Sequence, residues 1–300
     1  MILPDPGFRC AGASALRDEP VAGTASTVRA FLLVEHAGSW GTNALRDARL
    51  PGNLGARLRR ASAETGVRIL LVRRAGRRPR KGHITVFAAY AHPHRPWLER
   101  GDLTDPHDIL DLDLAGLREG RSPGLDADAG NVYCVCTHGR HDACCAERGR
   151  PVASALSAAH PEDTWEVSHI GGDRFAGNLL VLPHGLYYGR LDAPSALAVA
   201  GGHEAGQLDL DRLRGRSGYA MPVQAAEIAL RRELGETRND ALRLTGRRRS
   251  ADGTMAVFDV AGAAWEVQVR SSPGEQTRLT CQATRENPIP VHEVLSITRR

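Results

Sequence analysis

The sequence predicts an α/β protein in three parts, and three observations predict it. Short aliphatic and β-branched runs of strand length alternate with segments of helical spacing over most of the 300 residues. A polar, glycine-rich stretch, "LREGRSPGLDADAG", interrupts that alternation near residue 125 with the composition of a linker. Beyond residue 216 the pattern becomes one amphipathic helix followed by alternating strands. The expected divisions are an α/β lobe over 1–125, a second lobe over 126–215 and a C-terminal helix with a small antiparallel sheet over 216–300. A chain of this length is more than one hydrophobic core comfortably serves.

In the first lobe, "VRAFLLVE" (28–35) reads as a buried strand. "LGARLRRASAET" (54–65) has helical spacing, with Leu54, Leu58 and Ala61 on one face. "VRILLVRR" (67–74) and "HITVFAAYA" (83–91) read as strands joined by a basic turn. The second lobe starts with the strand "NVYCVC" (131–136), and Pro151 suits the first position of a helix through "VASALSAAH". Strands over "TWEVSHI" (164–170), "NLLVLP" (178–183) and "LYYGRL" (186–191) follow, then a helix over "APSALAVAGG". The order β-α-β, β-hairpin, α is that of a thioredoxin-like domain. In the tail, "PVQAAEIALRRELG" (222–235) is the amphipathic helix, and "TMAVFDV", "AAWEVQV" and "TRLTCQA" are the strands expected to follow it.

A hydrophobic content of 42% and a charged content of 25% belong to an ordinary globular chain. The net charge of +4 comes from 38 arginines and a single lysine, a bias of genome composition rather than a sign of a polyanionic partner. The N-terminal residues lack a secretory h-region, and no run approaches the ~18 apolar residues of a membrane span. A cytoplasmic location and no membrane partner are therefore expected. The run "RRAGRRPRK" (73–81) carries six positive charges without interleaved aromatics. It reads as a solvated hairpin tip or a docking site for an acidic redox partner, and nucleic acid is not the expected partner.

"VYCVCTHGRHDACCAERGRP" (132–151) holds four of the six cysteines, Cys134, Cys136, Cys144 and Cys145, beside histidines and carboxylates. Clustered cysteines in a reducing compartment point to metal or redox chemistry. Cys136 and Cys145 enclose eight residues whose short polar composition suits a loop folded around an ion. Downstream, "SHIGGDRFAGN" (168–178) places His169 and Asp173 four apart, with Gly171 and Gly172 leaving room for close approach of a bulky ligand. Two thiolates, an imidazole and a carboxylate could hold tetrahedral Zn²⁺, or an iron–sulfur cluster with two non-cysteine donors. Thiol–disulfide chemistry by Cys134, Cys136 and Cys144 is a third reading, against which stands the missing C-x-x-C motif.

These two stretches, with "AGTASTVRAFLLVEHAGSWG" (22–41) and the "PVQAAEI" helix, resemble the sucrase/ferredoxin-like family. The resemblance implies a thioredoxin-like ferredoxin domain and a [2Fe–2S] cluster bound through Cys-x8-Cys and His-x-Gly-Gly-His. Position by position it implies Cys136, Cys145 and His169 as ligands, with Asp173 where the family pattern has histidine. Asp173, Cys134, Cys144 and Cys281 are the candidates for the fourth donor; for Cys10, packing is the default reading. The resemblance thus implies an electron carrier with an unidentified redox partner protein, with a structural zinc module as the alternative. The family's name also suggests sucrose hydrolysis, but nothing marks Asp142 and Glu147 as a glycosidase pair.

Overall fold

The computed structural model describes residues 5, 7–76, 82–250 and 253–300. After α1 (Cys10–Leu16), the first lobe runs β1 (Ala30–Glu35), α2 (Ala44–Asp47), α3 (Leu54–Thr65), β2 (Arg68–Arg73), β3 (Ile84–Tyr90), β4 (Trp97–Leu103), α4 (Leu114–Glu119) and β5 (Asp126–Asp128). The second runs β6 (Val132–Cys136), α5 (Ala143–Ala159), β7 (Thr164–Val167), β8 (Leu179–Leu182), β9 (Leu186–Tyr188), α6 (Ala193–Glu204) and β10 (Leu213–Arg216). The extension is α7 (Met221–Leu234) followed by β11 (Leu242–Ser250), β12 (Gly253–Val260), β13 (Ala263–Thr277) and β14 (Asn287–Arg299). Among the described residues no helix is long and apolar enough to cross a membrane.

Ten strands form one mixed sheet in the order β10-β9-β8-β6-β7-β2-β1-β3-β4-β5. Within it the two lobes repeat one pairing scheme. In the first, β1 is parallel to β2 and antiparallel to β3, which pairs antiparallel with β4. In the second, β6 is parallel to β7 and antiparallel to β8, which pairs antiparallel with β9. Their outer strands β2 and β7 join antiparallel through Val72↔Val167 and Arg73↔Glu166. An ion pair of 2.7 Å between Arg73 and Glu166 reinforces that short seam, and Thr137 Oγ1 donates to the same carboxylate.

Strand alternation sorts the side chains between layers. Phe31, Leu33, Phe87, Cys134, Trp165 and Leu180 point to one face and make a core common to both lobes. Leu32 and Val34 point to the other face, under Leu54 and Leu58 of α3 and Leu117 of α4. Tyr133, Val135 and Val181 likewise lie under Val152 and Leu156 of α5 and Val199 of α6. The strands β1, β2, β3, β6, β8 and β9 coincide closely with the runs read from sequence, and α3 matches residue for residue.

Two of the elements read from sequence differ from expectation, α4 and β5 overlap the stretch read as a linker, and α1, α2, β4, β10, β11 and β14 have no counterpart in the sequence reading. Helix α5 starts at Ala143 and carries Pro151 in its interior, because Asp142 caps it by accepting the Cys144 N–H at 2.9 Å. Pro151 forgoes one helical hydrogen bond there. In the tail, "TRLTCQA" is a loop rather than a strand: the β13–β14 ladder ends at Thr277↔Asn287. The Cys281 N–H then donates to Asp142 Oδ2 at 2.6 Å instead of entering a ladder. Residues 77–81 of the basic run lie outside the described residues. Its first two arginines are engaged, Arg73 over the Trp40 ring and Arg74 over the Trp165 ring, both at 4.3 Å.

The extension is locked to the second lobe by a buried charge network. Glu227 Oε1 on α7 accepts from Arg231 Nη2 at 3.0 Å and from Arg216 Nη2 on β10 at 3.3 Å. All three residues are buried. Burial raises the Glu227 pKa, but the two guanidinium charges outweigh it and hold the carboxyl below its ordinary value. Glu227→Leu should cost ~3–5 kcal/mol in urea unfolding, because it strands two buried cations. The folded-state pKa is lowered, so this contribution is complete above the ordinary carboxylate value of about 4.3 and fades as pH falls through the folded value. Glu227→Gln should flatten that acid limb.

Candidate metal centre

Cys136 ends β6 and Cys145 lies in the first turn of α5, so the strand, its loop and the helix start bring the two thiols together. Both are buried in the core common to the lobes. Gly149, one turn beyond Cys145, makes this approach possible: a Cβ there would lie 2.1 Å from the Cys136 carbonyl oxygen. Gly149→Ala should push α5 off the strand end and separate the thiols. A several-fold loss of bound metal is expected, with far-UV circular dichroism little changed.

The third donor comes from the turn after β7. Gly171 and Gly172 have φ of 98° and 81°, and this left-handed pair folds Asp173 back onto His169. The room they leave is filled by the chain itself: a Cβ on Gly172 would lie 2.2 Å from Arg214 Nη2, and one on Gly171 2.7 Å from Ser26 Oγ. Arg214 is fully buried and holds the turn from behind, donating to the Gly171 carbonyl at 2.9 Å and to Asn178 Oδ1 at 2.8 Å. Asn178 in turn donates to the Gly172 carbonyl at 2.8 Å. Burial pushes the Arg214 pKa down to about 10.

Candidate ligand atoms of Cys136, Cys145 and His169 all lie within 4.8 Å of one another. Asp173 borders the group, its Oδ1 accepting from the Cys145 thiol at 3.1 Å and lying 2.9 Å from His169 Nδ1, and at ligand spacing it groups with His169 and His141 rather than with the two thiols. The His169–Asp173 contact is close but not aligned as a hydrogen bond, which leaves a buried ring nitrogen without a directed partner. Two donors crowded together without a hydrogen bond between them suit a shared cation, and the donor set fits a metal or cluster. Burial would push His169 down, but contact with Asp173 outweighs it and leaves the imidazole raised. Burial would push Asp173 up, but contacts with His169 and Cys145 pull it below the usual carboxylate range. The Cys145 thiol favours the Cys136 thiolate, lowering Cys136 and raising Cys145.

Two histidines of the cysteine loop belong to this site and were not singled out from sequence. His141 stacks on His169 with ring centroids 3.8 Å apart, and its Nε2 lies 3.7 Å from Asp173 Oδ2. Its Nδ1 faces the Thr42 carbonyl at 3.2 Å, so a proton there leaves Nε2 as the free donor atom. His138 is buried; its Nδ1 accepts the His169 N–H at 3.1 Å, so Nε2 carries the proton given to the Gly41 carbonyl at 2.8 Å. Both carbonyls come from the first lobe's loop after β1, the counterpart of the cysteine loop in the repeated scheme. The one signal for either histidine was its place inside Cys-x8-Cys.

The remaining cysteines lie elsewhere. Cys134 faces the common core, where burial pushes its thiol well up. Cys144 and Cys281 fall into a separate group with Cys10 and Asp142. Glu147 pairs with Arg9 on the surface at 2.8 Å, so it shares no site with the buried Asp142.

The model of a family described as sucrase/ferredoxin-like matches residues 21–202. No curated protein matches the chain, and no solved structure does.

Proposed function

The chain belongs to the sucrase/ferredoxin-like family, and from that premise we propose that it is an electron carrier of the cytoplasm, with a [2Fe–2S] cluster held by Cys136, Cys145, His169 and Asp173. The observation that carries this reading is the convergence of two buried thiols with a partly exposed imidazole at ligand spacing, with a buried carboxylate against Cys145 and His169. A bound cluster would supply one-electron chemistry. The strand order β7-β6-β8-β9, with α5 between the parallel pair, supports a thioredoxin-like ferredoxin unit.

The protein's own residues divide the work. Cys136 and Cys145 hold the inner side and keep water from it, at 1% and 0% exposure. The side chains of His169 and His141 reach the surface at 28% and 32% exposure, the short way out for an electron. Arg68 borders the same shallow groove and donates to the His169 carbonyl at 3.1 Å. A positive rim there would steer an acidic redox partner protein toward the imidazoles.

The carboxylate of Asp173 favours one other reading, a zinc centre, since oxygen donors suit zinc better than sulfide-bridged iron. Protein purified without oxygen separates the two. The electron-carrier reading expects broad visible absorption with iron and acid-labile sulfide in equal amounts, bleached by dithionite. Colourless protein whose zinc depends on Cys136 would replace it.

A further inference from the structure

Four residues that the reading above leaves unused converge from three distant parts of the chain. Cys10 opens α1, Asp142 caps α5, Cys144 is in the first turn of α5, and Cys281 lies in the loop between β13 and β14. Their candidate ligand atoms all lie within 4.8 Å of one another. Cys144 Sγ is 3.4 Å from Cys281 Sγ, which is 3.6 Å from Cys10 Sγ. Cys10 Sγ is 3.6 Å from both oxygens of Asp142. We propose that Cys10, Cys144, Cys281 and Asp142 form a second, structural metal site that takes zinc and ties the N-terminal helix and the C-terminal sheet to the start of α5.

Four considerations support zinc. Tetrahedral Zn²⁺ with sulfur at 2.3 Å sets its sulfurs about 3.8 Å apart, and the observed spacings of 3.4 and 3.6 Å are close to that. Asp142 is a fully buried carboxylate with no basic side chain at ion-pair distance among the described residues. A buried charge needs a counter-charge, and a dication bound by this group supplies it. Three thiolates and one carboxylate make a closed four-donor set, the mark of a structural rather than catalytic site. Finally, the supporting hydrogen bonds are in place: Asp142 Oδ1 and Oδ2 accept from the Cys144 and Cys281 amides, and the Cys10 amide donates to Cys281 Sγ at 3.5 Å.

Three mutually close thiols also argue against a disulfide as the purpose of the cluster, since one bridge would leave the third sulfur and the carboxylate unserved. The site adjoins the first centre along the chain, Cys144 being next to Cys145, so it would fix the helix turn from which Cys145 projects. It does not depend on what the first centre binds.

The test uses the full chain purified without oxygen from zinc-supplied cells, with zinc, iron and labile sulfide counted per chain. Beyond any zinc that Cys136→Ser removes from the first centre, about one zinc per chain is expected, falling at least ~5-fold in Cys10→Ser and in Cys281→Ser and retained in Cys136→Ser. Because a variant that unfolds also loses metal, Cys136→Ser protein is separately loaded with Co²⁺. The strong visible bands of tetrahedral thiolate coordination are expected, since the first centre then lacks a thiolate. Folded wild-type protein without zinc and without such bands would overturn the proposal. So would a Cys144–Cys281 disulfide in anaerobic protein, or zinc that leaves with Cys136→Ser and stays with Cys10→Ser. The last result would assign the zinc to the first centre.

Discussion

Cys136→Ser and Cys145→Ser should each strip the first centre of its metal. Serine keeps the size of the side chain but replaces a thiolate by a hard, protonated hydroxyl, which is a poor ligand for zinc or sulfide-bridged iron. Losing a partner that merely supports a ligand costs 10–100-fold in metal affinity, so losing one of four ligands should cost more than ~100-fold. Both thiols are buried, with the histidines on the side nearer solvent, so neither position has a water-filled space from which a substitute donor would come. The measurement is metal content per chain together with the visible spectrum, on protein whose circular dichroism shows α5 intact. Cys10→Ser, in the other thiol group, should leave the metal of the first centre untouched. Full loading in both Cys136→Ser and Cys145→Ser would remove the centre from these residues.

Asp173→Ala should weaken metal binding next most strongly, and Asp173→His should raise the reduction potential of a bound cluster. An anionic carboxylate stabilises the oxidised, more positive iron, whereas a neutral imidazole does so less; histidine-ligated clusters accordingly sit at higher potential than all-cysteine ones. The structure adds a competitor. His141 Nε2 lies 3.7 Å from Asp173 Oδ2 and its ring stacks on His169, so it stands next to the position Asp173 would vacate. Partial retention in Asp173→Ala that disappears when His141→Ala is added identifies His141 as the substitute donor. An unchanged spectrum and potential in Asp173→Ala show that the carboxylate is not a ligand. Because Cys144 and Cys281 face a different group and Cys134 faces the core, His141 is then the next residue to test.

Periodicity made the local elements legible. The unbroken apolar runs within "VRAFLLVE" and "NVYCVC" mark strands because both faces of this sheet are covered, so every residue of β1 and β6 is buried. Pro151 misled because its preference for the first helical turn is a statement about cost, and the Asp142 cap together with packing of Val152 and Leu156 exceeds the one hydrogen bond lost. The loop that carries Cys281 read as a strand because "TRLTCQA" has strand composition. Its backbone was instead claimed by Asp142, 139 residues away in sequence.

The sequence by itself determined the four candidate donors Cys136, Cys145, His169 and Asp173, since Cys136 with Cys145 and His169 with Asp173 are each close in sequence and their spacing is a local property. It also determined the β-α-β-β order common to both lobes, though not β4, α4, β5 or β10. Only the tertiary structure decided that the two lobes share one sheet through β2 and β7, that carbonyls of Gly41 and Thr42 orient His138 and His141, and that Cys10, Cys144 and Cys281 meet. The physical reason is common to all three. Each is a contact between segments far apart in the chain, selected by burial of the shared core and by pairing of backbone groups, and neither leaves a periodic or spaced trace in the residues that finally touch.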